Sequence, residues 1–124
     1  MPDIVVDVWL YGTLACYGGE TEQASFANIH VRLPGGSTIA DLLARIRMLT
    51  EERGITFING QLSAMSGLQP DLGHVLDDGD RVALFGPKSV WPFQYRHGVA
   101  MTDEMGRAMI AERHKGLHHT YSKG

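Results

Sequence analysis

The chain has 124 residues and a mass of 13.6 kDa, is 44% hydrophobic and 20% charged, and carries 15 Gly, 5 Pro and 1 Cys. A single cysteine excludes an internal disulfide framework, a cysteine-only zinc site and a four-cysteine iron–sulfur cluster. Asp3 and Asp7 interrupt the only early apolar run, so the sequence predicts a soluble, cytoplasmic protein with neither a membrane span of about 20 residues nor a signal peptide. Charge is uneven: residues 1–95 hold six Lys/Arg against eleven Asp/Glu, and residues 96–124 hold five against three. An acidic body lacks the clustered cations that phosphate binding needs, so no nucleic-acid partner is expected.

Ile4–Leu10 is β-branched and aromatic and predicts a strand with Ile4, Val6, Val8 and Leu10 on one face. Gly12, Gly18 and Gly19 mark a loop or hairpin connection between Tyr11 and Glu22. From Phe26 to Leu33 the pattern alternates, with Ala27, Ile29, Val31 and Leu33 opposite Asn28, His30 and Arg32, as in a strand with one buried and one wet face. A helix is predicted over residues 38–53. Ile39, Leu42, Leu43, Ile46 and Leu49 recur at helical spacing, Thr38 and Asp41 form a capping-box pattern, and Gly54 stands at the expected stop. Ile55–Ile58 reads as a short strand ended by Asn59-Gly60, and Leu62–Leu76 as loop with one short strand. The turn Asp77–Asp80 leads into a last strand over Arg81–Phe85. One helix covering one face of a small mixed sheet is an α+β arrangement, and its other face stays open unless something docks there.

Three segments, VRLPGGSTIADLLARI, FINGQ and VLDDGDRVALFGP, fall in that order within residues 4–87. In this order the chain resembles the β-grasp (ubiquitin-like) sulfur carriers, the molybdopterin synthase small subunit and the thiamine sulfur carrier (MoaD/ThiS). The resemblance implies a β-grasp domain over residues 1–87, with the first and last strands paired at the centre of the sheet. It also implies a C-terminal glycine that is activated for sulfur transfer, with an adenylating (E1-like) enzyme and/or a larger synthase subunit as partner. Where the family ends in Gly-Gly shortly after the last strand, this chain continues through Lys88-Ser89-Val90-Trp91 into an extension over residues 88–124. The candidate activated residues are Gly124, or Gly98 after processing. The alternative is an interaction module that binds a larger enzyme through its open sheet and extension without being conjugated.

The extension begins with Val90-Trp91-Pro92-Phe93-Gln94-Tyr95. Trp and Tyr dominate interface hot spots, so Phe85, Trp91, Phe93 and Tyr95 are candidate partner-binding residues. A second helix is predicted over residues 99–115, with Thr102, Asp103 and Glu104 at its start and Met101, Met105 and Met109 buried along one face. Met105 is a candidate for partner contact, against the alternative that the stripe docks on its own chain. His114, His118 and His119 have partial metal-ligand spacing, but no carboxylate or cysteine completes a set nearby. Cys16 lacks a partner motif. There is no phosphate loop, dinucleotide fingerprint, zinc-protease motif or nucleophile elbow, and no Asp or Glu stands out from a solvated face. No catalytic residue, metal or cofactor is therefore expected, and the protein is read as one that lacks an active site of its own.

Overall fold

The structure is a computed structural model that describes residues 2–18, 26–86 and 100–111. The first strand, β1 (Ile4–Tyr11), alternates buried and half-buried residues along its whole length, and β2 (Phe26–Leu33) lies antiparallel to it, with Ile4 opposite Leu33 and Tyr11 opposite Phe26. Between them Gly12–Gly18 forms a 3-10 helix in place of the expected loop. Gly18 is held against β2, where a Cβ would stand 2.5 Å from the Ala27 Cβ, so the close approach requires glycine. Tyr17 reaches across to donate to Glu52 at 2.5 Å. This bond, with burial added, pushes the Tyr17 hydroxyl up to about 12.

The main helix, α1 (Ile39–Arg45), starts as its sequence predicts. Thr38 Oγ1 accepts from the Asp41 amide at 3.3 Å and Asp41 Oδ2 accepts from the Thr38 amide at 2.9 Å. Two further first-turn amides, of Ile39 and Ala40, donate to the carbonyls of His74 and Leu72, both at 3.0 Å, which satisfies donors that a helix start leaves unpaired. The expected stop at Gly54 is wrong, because the helix closes at Arg45. Arg47 adopts φ 61, its amide bonds Ala44 O at 3.1 Å, and the Met48 amide bonds Leu43 O at 2.9 Å. This pair of bonds is a Schellman closure, here with an arginine where glycine is usual. Leu43 and Met48, the two residues whose contact normally accompanies it, are both buried. The rest of the predicted helix becomes a bend and a short 3-10 turn, Thr50–Glu52.

The remaining strands are β3 (Thr56–Ile58), β4 (Gln61–Ala64) and β5 (Arg81–Phe85). The β3–β4 hairpin turns on Asn59 at φ 51 and Gly60 at φ 81, left-handed values that an Asn-Gly pair accepts readily. Among the described residues the strands form one mixed sheet in the order β2-β1-β5-β3-β4. β1 and β5 are parallel neighbours at its centre, so the first and last strands pair as expected. Ile39, Leu42 and Leu43 of α1 share one buried core with Val6, Val8, Leu10, Val31, Val82 and Leu84. α1 therefore covers a single face.

The chain returns to the sheet at residue 100. The Leu62 amide donates to Ala100 O at 2.8 Å and the Thr102 amide to Leu62 O at 3.0 Å, so residues 100–102 run parallel along the outer edge of β4. A second helix, α2 (residues 103–111), follows; Thr102 Oγ1 caps it by accepting from the Met105 amide at 3.2 Å. It is shorter at its start than the expected 99–115, because residues 100–102 serve the sheet, and positions 112–115 lie outside the described residues. Met105 is fully buried, whereas Met101 and Met109 are half-buried. His74 Nδ1 stands 3.2 Å from both Glu104 carboxylate oxygens and ties α2 to the loop below α1. Burial alone would push the Glu104 carboxyl up, but its backbone hydrogen bond and His74 outweigh that and hold it below the usual range.

Candidate functional site

Residues opposite one another in the sheet share a face, so the strand register assembles the surface turned away from α1. Asp7 stands between His30 and Arg81, Trp9 between Asn28 and Ala83, and Tyr11 between Phe26 and Phe85, while Phe57 lies opposite Ala83. One end of this face is polar and the other aromatic.

At the aromatic end, five rings form a continuous ladder over β2, β1, β5 and β3. Trp9 and Phe26 have centroids 5.8 Å apart, Tyr11 and Phe26 6.2 Å, and Trp9 and Tyr11 6.4 Å. Tyr11 and Phe85 stack at 4.6 Å with planes 10° apart, and Phe57 meets Phe85 edge-on at 6.1 Å. Phe26 is 47% exposed although it belongs to the ladder.

At the polar end, Asp7 accepts from Asn28 Nδ2 at 2.6 Å and from Trp9 Nε1 at 3.2 Å. It also lies 3.5 Å from Arg81 Nε and 3.6 Å from His30 Nε2. The Asn28 bond, with smaller help from Trp9, His30 and Arg81, holds the Asp7 carboxyl below its usual range against the opposing effect of burial. Asp7 thus fixes the Trp9 indole while remaining ionised. Between the two ends lies a groove of ≈ 550 Å³ with Ala83 in its lining.

Of the residues singled out from the sequence, Phe85 is a rung of the ladder. Met105 is buried at the β4 edge, away from it, so a partner would reach Met105 only after α2 had moved. Trp91, Phe93, Tyr95, Gly98, Gly124 and the histidines 114, 118 and 119 lie outside the described residues. Cys16 is exposed, and its thiol donates to Thr13 O at 3.3 Å. No cluster of three or more His, Cys, Asp or Glu side chains that could hold a metal occurs among the described residues, and none of their helices is long and apolar enough to cross a membrane.

Sequence reasoning missed Trp9, Tyr11, Phe26 and Phe57. Trp9, Phe26 and Phe57 stand in predicted strands and Tyr11 at the start of the predicted loop, but only the register shows that they meet. It also missed a polar centre on the helix side. Arg53 Nη1 and Nη2 donate to Asp71 at 2.8 and 2.6 Å with both side chains fully buried, and Ser63 Oγ donates to the same carboxylate at 2.9 Å. Thr56 and Thr50 accept from the guanidinium at 3.3 and 3.2 Å. Every described polar atom there is satisfied, which marks a structural cross-tie rather than a reactive acid.

No family model matches the chain, and no curated protein matches it.

Proposed function

We propose that the protein is a β-grasp (ubiquitin-like) carrier of the molybdopterin synthase small subunit and thiamine sulfur carrier type. It works by presenting itself to a larger adenylating enzyme or synthase subunit and performs no chemistry alone. The observation that carries this reading is the open aromatic face. A parallel β1–β5 pair sits at the centre of the sheet, one short helix closes one side, and on the other side five rings in a continuous ladder are left half-buried or exposed by the described residues. Aromatic anchors of this kind supply most of the energy of a protein–protein contact.

In the carrier reading, Gly124 provides the carboxylate that is adenylated and then carries sulfur. The test is adenylate-dependent pyrophosphate exchange with an adenylating enzyme from the same organism. The native chain is expected to support exchange, and a chain with one alanine added after Gly124 to lose it, because the reactive carboxylate moves out of register. Equal exchange by both would rule out Gly124.

A second reading, a non-conjugated interaction module or small subunit, is favoured by one observation: beyond β5 the chain comes back to pair with β4 and buries Met105. Truncation after Gly98 removes the Thr102 and Met105 contacts, so that variant needs a thermal melt alongside its exchange assay. No exchange by any folded version, with partner binding lost on Tyr11→Asp, would select the module.

A further inference from the structure

We propose that the sheet face turned away from α1 is the docking site of this chain's own residues 87–99, with Trp91, Phe93 and Tyr95 seated on the ring ladder. Those thirteen residues lie outside the described ones, and their path is constrained by where the chain leaves the sheet and where it comes back. The inference goes beyond the proposed function: a partner that uses the ladder has to exchange with this segment.

Topology requires a crossing. β3 runs antiparallel to both β4 and β5, so β4 and β5 are parallel. Residues 100–102 bond parallel to β4 along its outer edge. The step from β5 to residue 100 therefore joins two parallel strands of one sheet, and a step of that kind takes a crossover of about a dozen residues or more. It has to move about 14 Å sideways, past β3 and β4, and to return about 17 Å along the length of β5. Thirteen residues reach about 43 Å when extended, which is enough.

Handedness selects the face. Connections between parallel strands of one sheet are right-handed in about 98% of cases. The step from β2 through α1 to β3 is one such connection, and it moves across the sheet in the same sideways direction as the step from β5 to residue 100. The strands it joins point the opposite way, because β3 is antiparallel to β5. Two crossovers of one hand that move the same way between oppositely directed strands lie on opposite faces. α1 holds one face, so residues 87–99 take the other. Where the chain leaves β5, the α1 side is already filled. Leu14 and Ala15 of the 3-10 helix belong to that core, and a Cβ on Gly86 would stand 2.6 Å from Thr13 Oγ1.

The segment also matches the face in chemistry. Alternate residues of an extended chain share a side, which puts Trp91, Phe93 and Tyr95 together, and Pro92 favours extension at itself and at Trp91. Rings pack on rings in stacked or edge-on pairs, the two arrangements found within the ladder. Ala83 stands opposite Trp9 and Phe57, and its single methyl group leaves room for an incoming ring in the groove beside Tyr11 and Phe85.

The test is nuclear Overhauser spectroscopy on the full chain with isotope-labelled alanine methyl groups. We expect contacts from the ring protons of Trp91, Phe93 or Tyr95 to the Ala83 methyl, and none to the Ala40 and Ala44 methyls of α1. Replacing Trp91, Phe93 and Tyr95 together by serine should remove these contacts and shift the amides of Trp9, Ala83 and Phe85. The amides of Ile39–Arg45 should stay in place, which reports that the fold is intact. Contacts to the α1 methyls would mean that the chain crosses the other face and would overturn the proposal. Absence of the Ala83 contacts would overturn it too, leaving the ladder to a separate partner. So would contacts between labelled and unlabelled chains in a mixed sample, because the segment of a second copy would then be the occupant. Neither the C-terminal glycine nor an adenylating enzyme takes part, so this test and the exchange assay can fail independently.

Discussion

The two faces of the sheet are built from alternate residues of the same strands, yet they are organised on different principles. Toward α1, Val6, Val8, Leu10, Val82 and Leu84 are completely buried, and the polar groups at the edge of that layer are locked in the Arg53–Asp71 cross-tie. Away from α1, Trp9, Tyr11, Phe57 and Phe85 are only half-buried and pack on one another. Burial fixes the first face whatever meets the second. The open face keeps apolar area that a partner can still remove from water, at about 25 cal/mol per Å². Substitutions on the helix side should therefore register as lost stability, and those on the open side chiefly as lost binding.

The largest expected effect is at the cross-tie. Asp71→Ala would leave the Arg53 charge fully buried without its partner, and loss of one member of such a pair costs about 3–5 kcal/mol. Replacing both, as Arg53→Met with Asp71→Leu, should recover much of that, because an apolar pair of similar volume avoids desolvating two ions. Urea denaturation of the single and double variants measures both numbers. A single variant as stable as the native chain would mean that water reaches the pair, and the contrast between the faces would weaken.

Next in size is Met105→Ala. Met105 is fully buried, so its truncation should cost about 2–3 kcal/mol if α2 belongs to the folded body. Unchanged melting together with lost partner binding would move α2 to the open-face category. His74→Ala, which removes only a partly exposed contact to Glu104, should cost well under 1 kcal/mol.

Within the ladder, the Tyr11–Phe85 stack should show a coupling of about 0.5–1.5 kcal/mol in a double-mutant cycle of alanine replacements read by thermal melting. Larger coupling would mean that the ladder is core after all. Smaller coupling would leave the rings to binding alone.

How much of this contrast was legible in the sequence depended on the range of the interaction. Alternation exposed which residues of β1 and β2 face inward, and local chemistry gave the Thr38–Asp41 cap and the Asn59-Gly60 turn. The helix end was misread because the periodicity of Ile46 and Leu49 continues past it, while the closure uses backbone bonds and a left-handed arginine that no pattern announces. Arg53 and Asp71 are 18 residues apart, and nothing in their neighbourhoods distinguishes them from solvated charges. The ladder needed the register, since Phe26 and Phe85 become neighbours of Tyr11 only when three strands align.

The smallest expected effects test the two non-glycine residues with left-handed backbone among the described residues, one on each side of the contrast. Arg47 closes α1 at φ 61 and is exposed, and no side-chain hydrogen bond of its own is found among the described residues. The left-handed conformation costs a residue with a Cβ about 1–2 kcal/mol. Arg47→Gly removes that cost, while the freer unfolded chain gives back about 0.4–1 kcal/mol. The difference is a net gain of about 0.5 kcal/mol. Asn59 has nearly the same backbone, φ 51, at the turn beside the groove, but its side chain works on both sides: it donates to Asp80 at 2.9 Å and accepts from the Arg81 amide at 2.9 Å. Asn59→Gly relieves little strain, because Asn tolerates this region, and forfeits two bonds worth about 0.5–1.5 kcal/mol each before water competes for the freed groups. It should lower stability by about 1 kcal/mol and loosen the start of β5 that carries Arg81. Melting curves of the two variants should thus move in opposite directions from the native chain. A shift of both in the same direction would show that backbone strain alone governs these turns, and that the Asn59 side chain does not hold the rim of the groove in place.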